Sequence, residues 1–263
     1  MDCLAVYWLF DICCVADKGS FQDDTKMRKV RPQDVLSSYV TQVDQALAHY
    51  ERVVAALKGT PNVKLDTTLM SRGLLHTVFV DFECFISDLF VAYLNRDFSQ
   101  YQSTFENSVR QAAAQKHSSW LSNRITFNRP AHMKLDEIAD AIDPTGWNMT
   151  FKSCSMMKDK ARLWLAAPYA AKITSLDSED ENLVDTARAL RNWIAHQSDG
   201  SGAIMNTMLA DIEKGPGTSN HELGRGVNEI ASVGAFLKSQ VNGHSRAQIY
   251  ARRLKEVANN LTI

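Results

Sequence analysis

The spacing of apolar residues predicts an all-α protein, an antiparallel up-and-down helical bundle carrying a helical insertion. Three observations lead there. Apolar side chains recur every three or four residues through two long runs, 33–58 and 66–96, which is the period of a helix rather than a strand. Six prolines and twelve glycines in 263 residues are too few for a loop-rich β fold. Hydrophobic residues make up 45% of the chain, enough for a sizeable core and too many for global disorder.

Residues 1–26 are expected to form a peripheral N-terminal arm, and residues 27–263 a single helical domain with its insertion at about 97–177. Leu4–Phe10 is apolar, but Asp11 interrupts the run and no Lys or Arg precedes it, so it lacks the pattern of a signal peptide. It is also too short to span a bilayer. The first helix, Gln33–Lys58, aligns Leu36, Tyr39, Val43, Leu47, Tyr50 and Val54 on one stripe. Pro32 suits its first turn, and Gly59 with Pro61 ends it. The second helix, Asp66–Arg96, has Asp66 or Thr67 available as a cap. Its apolar positions from Leu75 to Tyr93 cover more than half its circumference, which places it centrally. The short connection makes these two helices antiparallel neighbours.

Within the insertion, helices are expected over Phe98–Ser118, Leu135–Ile142 and Met156–Ala167. Asn128-Arg129-Pro130 and Asp143-Pro144-Thr145-Gly146 are breaks. A further amphipathic helix spans Asp180–Gln197, with Asp177, Glu179 and Asp180 at its start, where the helix dipole favours acids. Asp199–Gly202 reads as a polar loop, followed by helices at Ala203–Lys214, Asn220–Gln240 and His244–Leu261. Glycines at 215, 217, 224 and 226 disturb the start of the Asn220–Gln240 helix.

The formal net charge is −1, without the basic excess of a protein that coats duplex DNA, so any nucleic-acid contact is confined to a groove. The five cysteines, Cys3, Cys13, Cys14, Cys84 and Cys154, include no pair at zinc-ligand spacing and read as scattered thiols in a reducing cytoplasm. There is no P-loop, dinucleotide fingerprint or internal repeat, and no metal or organic cofactor is expected.

The chemistry-bearing segment is Arg191-Asn192-Trp193-Ile194-Ala195-His196, at the end of the late helix. Arginine forks onto phosphate oxygens, and histidine exchanges a proton near neutral pH, so the two types suit work on a phosphodiester. This arrangement resembles the HEPN superfamily, helical bundles whose motif is Arg, four to six residues, then His, with a polar residue after the Arg. Arg191, Asn192 and His196 match that pattern, and the long second helix with an elaboration before the motif is similar to the groups found in prokaryotic defence and stress operons. The resemblance covers residues 33–96 and 178–241 and leaves 97–177 unexplained. A second match, Arg110 and His117, has Gln111 where the family favours another residue. Ser198 stands where the subfamily paired with nucleotidyltransferase antitoxins has Tyr, so that pairing is not supported.

The resemblance implies a metal-independent endoribonuclease, a homodimer with facing motifs, in phage defence or stress-induced growth arrest. Arg191 would hold phosphoryl oxygens, Asn192 would orient the phosphate or His196, and His196 would act as general base or acid. On an ideal helix Arg191 and His196 lie about 140° apart around the axis, so one helix presents them to one phosphate imperfectly. Other readings stand beside this one. His196 suits a helix C-terminus for its charge alone, and a HEPN-like module without catalysis would serve dimerisation or nucleotide binding. Glu83 lies among Phe79, Phe82, Ile86 and Phe90 and either pairs with Arg191 in a supporting role or reaches water at the stripe's edge. Asp81 and Asp88 read as solvated, His49 and His76 as structural or exposed, and Trp193 as core. Arg246, Arg252, Arg253 and Lys255 form a basic cluster that either touches RNA or is solvated.

Overall fold

The structure, a computed structural model, describes residues 29–130, 132–143, 149–212 and 221–263. The expected arm at 1–26 and the break residues 144–146 lie outside the described residues. The elements are α1 (Pro32–Ala56), α2 (Val63–Arg96), α3 (Ser99–Lys116), α4 (Ser119–Ser122), α5 (Leu135–Ile142), α6 (Cys154–Trp164), α7 (Ala167–Thr174), α8 (Ser178–His196), α9 (Asp199–Asp211), α10 (Val233–Lys238) and α11 (Arg246–Leu261). A ribbon of two strands, β1 (Gln240–Val241) and β2 (His244–Ser245), precedes α11. The all-α expectation holds, and no helix among the described residues is long and apolar enough to cross a membrane.

Four helices run up and down. Tyr50 near the end of α1 hydrogen-bonds Ser71 near the start of α2 (2.9 Å), while Tyr39 near the start of α1 stacks on Phe85 further along α2 (5.0 Å between centroids). The pair is therefore antiparallel. Gly59 turns the chain between them at φ +84, a conformation that glycine adopts without steric cost. α11 runs antiparallel to α1, joined by Gln248–Glu51 at one end and Lys255–Asp44 beyond it. It ends where α2 ends: the Tyr93 hydroxyl donates to Leu261 O (2.7 Å) and accepts from the Ile263 amide (3.2 Å). Burial pushes the Tyr93 phenol up to about 12. α8 completes the set, with Asp180 at its start meeting Asn260 and Arg253 of α11, and Arg191 near its end meeting Glu83 of α2.

The sequence expectations need four corrections. α2 begins at Val63, three residues before the expected cap, and Thr67 instead returns its hydroxyl to the Val63 carbonyl (2.6 Å). Asp199–Gly202 is not a loop but the first turn of α9, because Ser198 caps it and forms a capping box with Ser201. The helix expected at Asn220–Gln240 is reduced to a single 3-10 turn at His221–Leu223 and the six-residue α10. Bundle membership passes to α11, whose Ala247, Tyr250, Ala251, Leu254, Val257, Ala258 and Leu261 are all buried. Between α10 and α11 the Asn242-Gly243 pair, both at positive φ, turns the ribbon with Val241 paired to His244. In the insertion, the expected Met156–Ala167 helix is two: α6 stops at Trp164, and Pro168 opens α7.

α10 lies directly on α2. A Cβ at Gly234 would sit 2.4 Å from Thr68 Cγ2 and 2.9 Å from the Thr68 carbonyl oxygen. Gly234→Ala is therefore expected to lower stability by roughly 1–3 kcal/mol, as overpacking does when backbone cannot retreat. Urea unfolding of the two chains measures it, and an unchanged midpoint would show that α10 is not seated on α2.

Candidate functional site

α8 starts with Asp177 as cap, accepting from the Asp180 amide (2.8 Å), and with acids in its first turn. It stops at His196 because Gln197 adopts the left-handed conformation (φ 49) and its amide bonds the Trp193 carbonyl (3.0 Å). α9 leaves at once, and Trp193 is half-buried against Gly202 of α9, where an added Cβ would lie 3.1 Å from the indole. That contact gives Trp193 the packing role the sequence predicts.

The inner face of α8 carries Glu181, Asp185, Arg188 and Arg191 at three- and four-residue steps, one polar stripe along the helix. Each rung is tied. Lys158 binds Glu181 and the Leu176 carbonyl. Asp185 accepts from the Cys154 amide (3.0 Å) and from Arg188, whose guanidinium also lies 5.9 Å from the Phe79 ring centre. Arg191 reaches across to Glu83 through one terminal nitrogen and to Asn192 Oδ1 through the other (3.0 Å). The side chains of Arg191 and Glu83 are 24% and 14% exposed, so this ion pair is partly sealed from water. The Nε groups of Arg188 and Arg191 are buried without a hydrogen-bond partner among the described residues.

Burial raises the Glu83 carboxyl above its ordinary range, although Arg191 and Arg188 pull it back down. One face of α2 also brings His76, two turns before Glu83, into the field of Arg191. Burial lowers the His76 pKa and the Arg191 charge lowers it further.

Three of the four residues read from the sequence therefore come together: Arg191, Asn192 and Glu83, the last paired rather than solvated. His196 does not join them. It is the exposed last residue of α8, and its side chain makes no hydrogen bond or ion pair among the described residues. The sequence reading missed Arg188 and treated His76 as merely structural or exposed; their signal is spacing, three residues before Arg191 and seven before Glu83. Asp81 is half-buried rather than solvated, and burial raises its pKa. The basic cluster of α11 is largely occupied: Arg253 meets Glu179 and Asp180, Lys255 meets Asp44, and Arg246 donates to the Glu222 carbonyl. Cys154 is buried, and its thiol is pushed well above the usual range.

Beside Glu83 and Arg188 lies a cavity of about 20 Å³, room for one water and not for a nucleotide. An open groove of about 520 Å³ runs between α1 and α2 past Gln42, Gln45, His49, Thr77 and Asp81, and does not include Arg191 or His196. Among the described residues no three His, Cys, Asp or Glu side chains cluster to hold a metal ion. The chain matches no protein-family model, and no curated protein or solved structure matches it.

Two outcomes follow from the pair and its neighbour. Removing the carboxylate with Glu83→Gln leaves a half-buried guanidinium short of its counter-charge, and a loss of roughly 1–3 kcal/mol in urea unfolding is expected; no loss would mean that the pair contributes nothing to the fold. The second concerns pH. As pH falls through about 6.5, the unfolded chain takes up a proton at His76 before the native chain does, so stability declines on the acid side. His76→Asn is expected to flatten that part of the stability profile. An identical profile would mean that neither burial nor the Arg191 charge acts on His76.

Proposed function

We propose that this chain is a metal-independent endoribonuclease acting as a homodimer, as its resemblance to the HEPN superfamily implies, with a role in defence or growth arrest. The observation that carries the reading is the constellation at the end of α8. A guanidinium oriented by Glu83 and bracketed by Asn192 precedes an exposed imidazole by five residues. In the reaction the 2′-hydroxyl of a ribose attacks the adjacent phosphorus in line. His196 accepts the hydroxyl proton or protonates the departing 5′-oxygen, a 2′,3′-cyclic phosphate forms, and the P–O5′ bond breaks. Arg191 stabilises charge building on the phosphoryl oxygens, and Asn192 holds the phosphate or the guanidinium in place.

The separation of His196 from Arg191 is the reason for the dimer. A second copy meeting the first about a twofold axis brings the His196 of each chain to the Arg191 of the other. The same separation, with Arg191 already engaged by Glu83, favours a second reading: a HEPN-like module that dimerises or binds a nucleotide without cutting RNA.

Incubating the chain with RNA in excess EDTA separates the two. Cleavage is expected with 2′,3′-cyclic phosphate ends, and a 2′-deoxyribose at the cut site should block it. His196→Ala should lose about 10²–10⁴-fold in rate with the fold intact. Arg191→Lys keeps a charge for Glu83 but loses the fork, and should be slow as well. Mixing these two variants rebuilds one composite site in a mixed dimer, and partial activity should return. Wild-type cleavage by His196→Ala, or loss of activity on chelation, would overturn the ribonuclease reading.

A further inference from the structure

We infer that the elbow formed by α3, α4 and the irregular segment after them, residues 105–129, is a docking surface for single-stranded RNA. The choice of RNA rests on the ribonuclease reading; the surface itself does not.

α3 buries only Glu106 of its eighteen residues. Around it stand apolar side chains that a folding chain normally covers: Phe105 is 53% exposed and Trp120 63%. Single exposed apolar residues are ordinary, but these lie among cations. The Arg124 guanidinium lies over the Trp120 ring, 3.8 Å from its centre. Arg110 lies 5.3 Å from the centre of Phe127, which in turn meets Phe105 edge-on at 6.4 Å. The segment contains Arg110, Lys116, Arg124 and Arg129 against one acid, Glu106, in a chain whose net charge is −1. Arg129 takes both carboxylate oxygens of that acid, at 2.9 and 2.5 Å. Arg110, Lys116 and Arg124 make no ion pair among the described residues.

The surface is also held in shape. Thr104 donates to the Leu163 carbonyl (2.6 Å) and fixes the base of α3 on α6. Ser118 caps α4, and Arg110 braces the elbow through the Ser122 carbonyl (3.2 Å). Arg110 shares the charge of Glu106 with Arg129, but Lys116 and Arg124 meet no carboxylate among the described residues, and exposed aromatic faces beside such cations match an unpaired strand, whose bases stack while its phosphates are neutralised. A duplex keeps its bases stacked on one another and offers no face to Trp120. A second copy of the same surface would bring like charges together.

The test uses the full chain carrying His196→Ala, so that the probe is not consumed, and follows the anisotropy of a labelled oligouridine. Adding Trp120→Ala is expected to weaken binding roughly tenfold or more, and Trp120→Phe to keep most of it. Lys116→Gln and Arg124→Gln should each reduce the slope of log K against log salt by about 0.7. Duplex RNA should compete poorly. Unchanged affinity with Trp120→Ala overturns the proposal, as does a Trp120-dependent dimer that binds no RNA. Equal affinity for the oligodeoxy strand overturns the assignment to RNA. Failure here is distinct from failure of the catalytic reading. RNA cleavage by the wild type with Trp120-independent binding removes the surface alone. Trp120-dependent binding by a chain that never cuts removes the nuclease alone.

Discussion

Helix α2 leaves only a narrow side, Gly73, Thr77 and Asp88, to water along its central part, and the architecture follows from that. To the stripe of Leu75, Val78, Phe79, Phe82, Phe85, Ile86, Leu89, Phe90 and Tyr93 it adds buried Leu74, Ser87, Ala92 and Leu94 on the flanks, so that its C-terminal half is covered over more than half its circumference. Covering them takes neighbours on several sides. α1 supplies Tyr39 against Phe82 and Phe85, α11 arrives along the C-terminal half, and the insertion contributes Phe151 against Phe90 (5.2 Å) and Tyr169 stacked on Tyr93 (4.6 Å). Aromatic contacts of this kind add to the stabilisation from burial and fix how the helices face one another.

The packed side of such a helix cannot carry a carboxylate cheaply. Glu83 is the test of that constraint, and α8 answers it with Arg191, backed by Arg188. The polar stripe of α8 is thus first a solution to burial, each acid or cation finding its partner across to α2, α6 or its own helix. The same pairing fixes a guanidinium at a helix end. His196, one residue before the left-handed turn at Gln197, has left the stripe and faces water. Structural need and candidate chemistry therefore meet at Arg191 and part at His196.

The insertion has two sides of opposite character. Its inner elements, α5 to α7, share the core through Ile138, Met157, Ala161 and Ile173, all buried. Its outer elbow touches the core only at the start of α3, through Tyr101 against Trp164, and beyond that keeps aromatic rings beside cations at the surface. A chain with a net charge of −1 thereby holds a locally basic surface, which an average over the whole sequence conceals.

The sequence by itself determined what depends on short range. Apolar period placed α1, α2 and α8; Pro32, Gly59 and Pro130 marked ends and breaks; and the enclosed composition of α2 announced its central position. The Arg191-Asn192 pair and the need of Glu83 for a partner were also legible, because a carboxylate among Phe79, Phe82 and Phe90 carries its cost wherever it sits. Local signals existed for two features that periodicity overrode: the Ser198 and Ser201 capping pair that starts α9, and the Asn242-Gly243 turn before α11. Only the tertiary structure decided which helix closes the bundle, since α11 fills that place while the segment before it, capped by Ser232 and ended at Ser239, is a short clamp laid on α2. It alone decided that His76 and Arg188 join Arg191 while His196 does not, because a side chain's neighbours across a helix interface depend on the rotation of each helix about its axis, and packing of the whole core sets that rotation.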